Sequence, residues 1–228
     1  MTNDSIAERL LAVGTAGLSG ALRKRGYHEV FVDGVGPLGV GMRFAGPART
    51  LRLVPFRPDL FAERGGGFNP QKQLFDGIGA GEVLVIEARG RADAATFGDI
   101  LALRAHARGA AGIVTDGGVR DAETVAGIGL PVFAQGPHPS VLGRRHVAWD
   151  TDLVITCGGA AVVPGDLMVG DGDGVLVIPA ALVDEVLVEA EAQETEDAWV
   201  AARVAEGNPI NELFPPNAEW RAKYEADK

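Results

Sequence analysis

Cysteine is nearly missing from this sequence: Cys157 is the only one in 228 residues. No internal disulfide is possible, and a cysteine cage for a structural metal is excluded. Lysine is almost as scarce, confined to Lys24, Lys72, Lys223 and Lys228. The first stands beside two arginines at a helix end, the second in a polar stretch, and the others in the tail. None has the desolvated setting that an imine-forming amine needs. Serine occurs only at Ser5, Ser19 and Ser140. The stretch Gly17-Leu18-Ser19-Gly20-Ala21 lacks the last glycine of a nucleophile elbow, so a serine hydrolase is not expected. No Gly-Lys-Ser/Thr occurs, which removes a P-loop. Positive charge is short: Lys+Arg is 21 against 31 Asp+Glu, for a formal net charge of −10. Such a surface repels phosphate backbones and acidic lipid, so neither nucleic acid nor membrane is expected as a partner. Long apolar runs are absent too. Val83–Ile86 and Val175–Ile178 are strand length, far below the ~18–20 residues of a membrane span. The start, MTNDSIAERL, is polar and acidic, without the pattern of a secretory leader, and the cytoplasm is the expected compartment.

What is present reads as a packed α/β protein. Hydrophobic residues make up 46% and charged residues 23%, ordinary values for a globular domain. The 32 glycines stand between short apolar runs, which points to many tight turns. Periodicity predicts a helix over Ser5–Arg25, interrupted near Gly14 and Gly17. A short strand is expected at Glu29–Asp33, a weakly alternating one at Ala48–Pro55, a loop over Phe56–Gly67 and a helix over Pro70–Ile78. The pattern then sharpens into strand Glu82–Ala88, helix Phe97–Arg108, strand Ala111–Thr115, helix Asp121–Ala126 and strand Pro131–Gln135. That alternation requires crossover connections and a sheet with parallel strands. Leu153–Cys157, Ala161–Val163, Leu167–Val169 and Val175–Pro179 read as antiparallel hairpins. Ala180–Glu206 reads as one long helix. The expected organisation is a single domain over residues 1–206 and an extended C-terminal arm over 207–228.

Most chemical motifs fail on context. Gly34-Val35-Gly36-Pro37-Leu38-Gly39 matches a dinucleotide fingerprint literally, but Pro37 and further glycines prevent the helix that must follow. Asp171-Gly172-Asp173-Gly174 resembles the start of a calcium loop, yet Leu182 stands where the bidentate glutamate belongs, so a hairpin turn is expected. The four histidines lack metal-ligand spacing. Two helix starts are left, Gly98-Asp99-Ile100-Leu101 and Val119-Arg120-Asp121, each just after a strand. Asp121 could be a plain N-cap, Asp99 a first-turn acid placed for the helix dipole, and Arg120 a partner for some carboxylate. The same three side chains, gathered at adjacent strand ends, would also make a site for a metal ion and an oxyacid.

These residues carry a family resemblance. Gly98-Asp99-Ile100-Leu101-Ala102, then Gly112-Ile113-Val114 with Asp116-Gly117 and Val119-Arg120-Asp121, resembles the 4-hydroxy-4-methyl-2-oxoglutarate aldolase family. That family also contains the regulator of ribonuclease E activity. Met42-Arg43 with Ala45-Gly46-Pro47-Ala48 matches upstream. Pro131–Ala134, Cys157-Gly158-Gly159, Pro164-Gly165-Asp166, Asp171–Val175 and Leu213–Pro216 follow in family order, so the likeness spans roughly residues 14–216. It implies a compact swivelling β/β/α-type sandwich with a mixed sheet and flanking helices, assembled as a homotrimer or hexamer with sites between subunits. It implies Asp121 as the ligand of a divalent cation, Mg²⁺ or Mn²⁺. Arg120 would contact a 2-oxo acid substrate, and Gly98, Asp99, Ile100 and Leu101 would wrap it, with Asp99 as the base. Glu196 of a neighbouring subunit would assist. The implied reaction is retro-aldol cleavage of a 4-hydroxy-2-oxo acid to pyruvate, with oxaloacetate decarboxylation as a side activity. The alternative is a protein-binding regulator with a vestigial pocket. The chain departs from the family pattern at Ser19-Gly20, where many members have Ser-Asp, and in the glycine-rich stretch Phe61–Gln73. Both departures bear on substrate identity.

Overall fold

The molecule is described by a computed structural model covering residues 3–228. Its helices are α1 (Asn3–Lys24), α2 (Pro58–Arg64), α3 (Pro70–Gly77), α4 (Asp99–Ala107), α5 (Ala122–Gly127), α6 (Val183–Ala205) and α7 (Ala218–Asp227). The first eight strands are β1 (Gly36–Pro37), β2 (Phe44–Pro55), β3 (Val83–Glu87), β4 (Ala95–Phe97), β5 (Gly112–Thr115), β6 (Gly118–Val119), β7 (Val132–Ala134) and β8 (Gly136–Pro137). They are followed by β9 (His146–Thr151), β10 (Ile155–Cys157), β11 (Ala160–Val162), β12 (Leu167–Asp171) and β13 (Gly174–Ile178).

The main sheet runs β1-β7-β5-β3-β2-β12-β13, with β9 as a further partner of β2. Its centre, β7-β5-β3-β2, is parallel. These central strands are apolar on both faces, as parallel strands covered on both sides must be. In β3, Leu84 and Ile86 point to one core and Val83 and Val85 to the other. The twelve-residue β2 shares one edge between two partners. Phe44–Pro47 pairs with β12, and Leu51–Pro55 with β9, with a register shift at Arg52/Leu53.

The sheet curls until its ends approach, with Phe31 bridged to Leu176 and the Val32 amide donating to the Val175 carbonyl. Phe44, Val83, Val85, Val114, Phe133 and Met168 fill the inside, closed by the β10–β11 hairpin. Outside, α3, α4 and α5 cover Leu84, Ile86 and Ile113, while α1 and α6 cover Val169, Leu176 and Ile178. A mixed sheet with flanking helices is the architecture expected from the sequence, here with the sheet nearly closed on itself.

Helix α1 is two rods. Gly14 takes φ 81° and ψ 168° between them. The next rod starts at Thr15, whose amide and hydroxyl both donate to the Asp171 carboxylate at 2.8 and 2.7 Å. Burial alone would raise the Asp171 pKa, but the Thr15 donors and the Asp173 amide outweigh it and hold the carboxyl below its ordinary value.

Several local expectations are corrected. Phe56–Gly67 is not all loop: Pro58 starts α2, where a first-turn proline loses no helical hydrogen bond. Glu29–Asp33 is not a full strand: it meets β13 through the Phe31–Leu176 bridge and the bonds Val32 N–H to Val175 and Val177 N–H to Val30. The tail after Gly207 carries α7 where an extended arm was expected. Asn217 caps it by accepting from the Trp220 amide at 3.0 Å, and Tyr224 packs on Trp199 of α6 with ring centroids 5.5 Å apart. Prolines 215 and 216 precede that cap, so they delimit the helix without preventing it. Gly172-Asp173 is the tip of the β12–β13 hairpin, as read from the sequence. Among the described residues, no helix is long and apolar enough to cross a membrane.

Candidate functional site

A second, smaller sheet positions the chemistry. Strands β4, β6 and β8 lie side by side, all parallel. The sequence expectation placed the two helix starts at the edge of the main sheet; they belong instead to this strip. The chain leaves β5 through Asp116-Gly117 and enters the strip at Gly118. Only glycine fits there, because a Cβ would lie 3.0 Å from the Ala92 and Ala94 carbonyl oxygens. Strands of two or three residues carry too little periodicity to be seen in a sequence.

The C-terminal ends of the three strands meet. The Arg120 amide donates to the Phe97 carbonyl, and the His138 amide to the Val119 carbonyl, both at 2.9 Å. Gly98 is the N-cap of α4 and Asp121 the N-cap of α5. Asp121 does not cap with its side chain. Its backbone takes the left-handed conformation, φ 52° and ψ 39°, which costs an L-residue about 1–2 kcal/mol and which aspartate tolerates better than most. That conformation turns the carboxylate away from its own helix toward α4. Asp121 Oδ2 lies 3.1 Å from where a Gly98 Cβ would stand, and Arg120 Cβ lies 3.4 Å from the same point. Gly98 is therefore the residue whose missing side chain leaves room for both. Asp99 occupies the first turn of α4, and its Oδ1 accepts from the Ile100 amide at 2.8 Å.

Their charges are not held by ion pairs. Most arginines of the chain are in ion pairs, such as Arg49 with Asp152 at 2.6 Å and Arg104 with Asp76 at 2.5 Å. Among the described residues, Arg120, Asp99 and Asp121 are in none. An open cleft of about 430 Å³ lies in front of Arg120 and Asp121, lined by Val119, Arg120, Asp121, Pro137, His138 and Pro139. A slightly larger cavity, about 450 Å³, lies elsewhere, between the starts of α1 and α6 and the Gly79–Glu82 turn. It is the weaker candidate, because its Glu82 is already engaged by the Gly79 amide and Arg49.

The structure brings together Gly98, Arg120 and Asp121; Asp99 follows Gly98 in the first turn of α4, its carboxylate on the Ile100 amide, and is not among the residues lining the cleft. Ile100 is 72% exposed on the outer face of α4, while Leu101 packs inward against the α3–α5 core. Glu196 is not part of this cluster. It lies on α6, at the β12–β13 end of the sheet, and pairs with Arg221 at 3.1 and 3.2 Å. Its placement at a cleft of this kind requires a second chain. Sequence reading missed Pro137, His138 and Pro139. The available signal was position: they follow strand 131–135 as Arg120 follows the previous one.

No group of three metal-ligating side chains occurs among the described residues. The exposed, unpaired Asp121 carboxylate suits a hard divalent cation held by one protein oxygen, with water and substrate oxygens filling the other positions.

Comparisons with known proteins bear on this site. A protein of Halalkalibacterium halodurans named "Putative 4-hydroxy-4-methyl-2-oxoglutarate aldolase" is 32% identical over 161 residues, 71% of each chain. The solved structure of RraAS2 from Streptomyces coelicolor, described as an unusual member of the RNase ES inhibitor RraA protein family, superposes with a TM-score of 0.80. It is 30% identical and covers 87% of this chain and 96% of its own. An uncharacterized protein from Pseudomonas syringae gives a TM-score of 0.84 at 27% identity, covering 95% of both chains. The family model RraA-like, described as Aldolase/RraA, matches residues 15–177, and the chain belongs to that family.

Proposed function

We propose that this protein is a carbon–carbon lyase that cleaves a 4-hydroxy-2-oxo acid, of the 4-hydroxy-4-methyl-2-oxoglutarate type, to pyruvate. The observation that carries the reading is that Arg120 and Asp121, neither in an ion pair among the described residues, line one cleft beside the Gly98-Asp99 start of α4.

Retro-aldol cleavage breaks the C3–C4 bond. The C4 hydroxyl gives up its proton and becomes a carbonyl, and the bonding electrons pass to C3 and the C2 oxygen as an enolate. Asp99 accepts that proton, directly or through water. Arg120 places fixed positive charge where the enolate oxygen grows, a contribution of ~3–4 kcal/mol for such a donor. Asp121 is the residue that would hold a divalent cation, Mg²⁺ or Mn²⁺, which when bound supplies Lewis acidity to the 2-oxo acid. Protonation of C3 then gives pyruvate. Oxaloacetate reaches the same enolate by losing carbon dioxide, with no hydroxyl proton to remove, so decarboxylation accompanies cleavage. The assembly proposed with this reading is a homotrimer or hexamer, in which Glu196 of a neighbour reaches the cleft.

The test is a pyruvate-release assay over 4-hydroxy-2-oxo acids with Mg²⁺, with Mn²⁺ and with EDTA. Turnover that disappears in EDTA and returns with either cation supports the reading, and full turnover under thorough chelation overturns the metal assignment. Pyruvate release from none of the acids favours the second reading, a protein-binding regulator. The likeness to the RNase ES inhibitor relative and the net charge of −10, suited to a basic protein segment, support that alternative.

A further inference from the structure

The turn that feeds the strip is fastened from β9. Between β3 and β4 the chain passes through Arg89 and Gly90, both left-handed at φ 59° and 66°, a conformation uncommon for an arginine. The Ala88 and Gly90 amides donate to Asp116. The Arg89 side chain goes to β9: its Nη2 lies 3.1 Å from His146 Nδ1 and donates to the Arg145 carbonyl at 3.3 Å. Arg145 in turn reaches the Asp93 carboxylate at 2.7 Å. Next along the chain, the Ala94 carbonyl accepts from the Gly118 amide at 3.1 Å, and the Phe97 carbonyl from the Arg120 amide at 2.9 Å. Residues 89–93 thus tie β9 of the main sheet to the strip.

His146 is 0% exposed. A guanidinium only donates, so Nδ1 is the acceptor and the neutral ring carries its proton on Nε2. That nitrogen is buried with no partner among the described residues. A second proton has only Nδ1 to go to. There it removes the acceptor of Arg89 and sets two donors and two positive charges against each other in a buried place, where neither can be hydrated. The charged groups acting on the ring are Arg89, Arg91, Asp93 and Arg145. Helices α2 and α3, which also pack on β9, have their charges engaged elsewhere: Arg57 with Asp59, Arg64 with Glu63 and the Trp149 carbonyl, Lys72 with the Gly67 carbonyl and Asp76 with Arg104.

We propose that neutral His146 is a positioning residue: by accepting from Arg89 it latches the 89–93 turn, and with it the strip that carries Arg120, to the main sheet, and its protonation releases the strip. His146 does not line the cleft, and the latch acts whatever the cleft binds. Burial first, then the charge of Arg89, hold the folded pKa of His146 at about 4, below its ordinary 6.5. With the strip open, the ring takes a proton at its ordinary value. Opening is therefore favoured progressively as pH falls from about 6.5 toward 4, and is independent of His146 protonation above about pH 7. Asp93, held well below the ordinary carboxylate range by Arg91 and Arg145, stays charged through that window.

The experiment is hydrogen exchange of the full chain, read by NMR at the Gly118 and Arg120 amides, with each rate divided into the intrinsic rate at the same pH. In the wild type their protection is expected to fall roughly 50–100-fold between about pH 7 and about pH 4.5. His146→Asn keeps an oxygen that accepts from Arg89 and cannot titrate, so its protection is expected to stay level over that range. Arg89→Met, at an exposed position, removes the donor. It is expected to lower strip protection about tenfold already at about pH 7, while the Ile113 amide of β5, bonded to the Pro131 carbonyl, is unchanged. Strip protection that does not fall with pH in the wild type would overturn the proposal. So would a fall of the same size in His146→Asn, or strip protection untouched by Arg89→Met. An equal loss at Ile113 in Arg89→Met would also overturn it, by assigning the contact to the whole fold and not to the strip. The readout needs no turnover, so the lyase reading and the latch fail independently.

Discussion

Asp116 and Asp121 stand on either side of the two-residue strand β6, and the fold treats them in opposite ways. Asp116 is 3% exposed, and its carboxylate accepts from the amides of Ala88, Gly90 and Gly158 at 2.5, 2.8 and 3.4 Å. It ties the β3 turn and the hairpin glycine to the end of β5. Asp121 is exposed, leaves its own helix uncapped, and has no cation partner among the described residues. One carboxylate is consumed by structure and the other is left over.

The contrast can be tested from both sides. The largest effect is expected at the free charges. Arg120→Ala should lower kcat/KM about 10²–10³-fold for cleavage and for oxaloacetate decarboxylation alike, since both pass through one enolate. Asp99→Asn should separate them, sparing decarboxylation, which has no hydroxyl proton to transfer. Equal loss of both reactions would assign Asp99 a shaping role and not that of base. Melting curves of these variants should match the wild type.

Asp116→Ala should do the reverse. Three amides lose their acceptor, and the expected cost is about 3 kcal/mol, or roughly 6–12 °C in Tm for a chain of this size. A melt within error of the wild type would remove Asp116 from the structural class. Gly98→Ala is the intermediate case. The added methyl meets Asp121 Oδ2 at 3.1 Å, so the carboxylate must shift by a few tenths of an ångström. About a tenfold loss of kcat/KM with an unchanged Tm is expected. Asp171→Asn should have the smallest effect, about 1 kcal/mol at neutral pH, because the amide oxygen still accepts from Thr15. Its pH signature is specific. The folded pKa of Asp171 is below its ordinary 3.8. Its contribution is therefore present above that value and lost as pH falls through the lower folded value. Acid melts of the Asn variant should lack that component of the decline.

Much of the framework was legible because burial wrote it plainly. Val83–Ile86, Ile113-Val114 and Val132-Phe133 are apolar on both faces, which only a central parallel strand explains. The α6 span and the two hairpins were read within a few residues. The strip was not legible: Ala95–Phe97, Gly118-Val119 and Gly136-Pro137 are too short for any period. α2 and α7 were missed because glycine and proline around them look like loop, although Pro58 and Asn217 are helix starts. The site residues were found as two helix starts with two open readings each. Only the left-handed backbone of Asp121, invisible in sequence, shows that an N-cap position can leave its carboxylate free. His138 was passed over because its place at the cleft depends on a register of two residue pairs, Gly118 with Gly136 and Val119 with Pro137.

The break at Gly14 also marks a seam. The first rod of α1 is joined to α6 through Arg9 and Glu191, and the second is clipped at Thr15 to the β12–β13 hairpin. The stretch matched by the family model starts at that same Thr15. The stretch that the family model matches thus begins where the fold first fastens the helix to a strand. The rod ahead of the clip is held from the other side, by Leu10 in the core shared with α6 and by the Arg9–Glu191 pair.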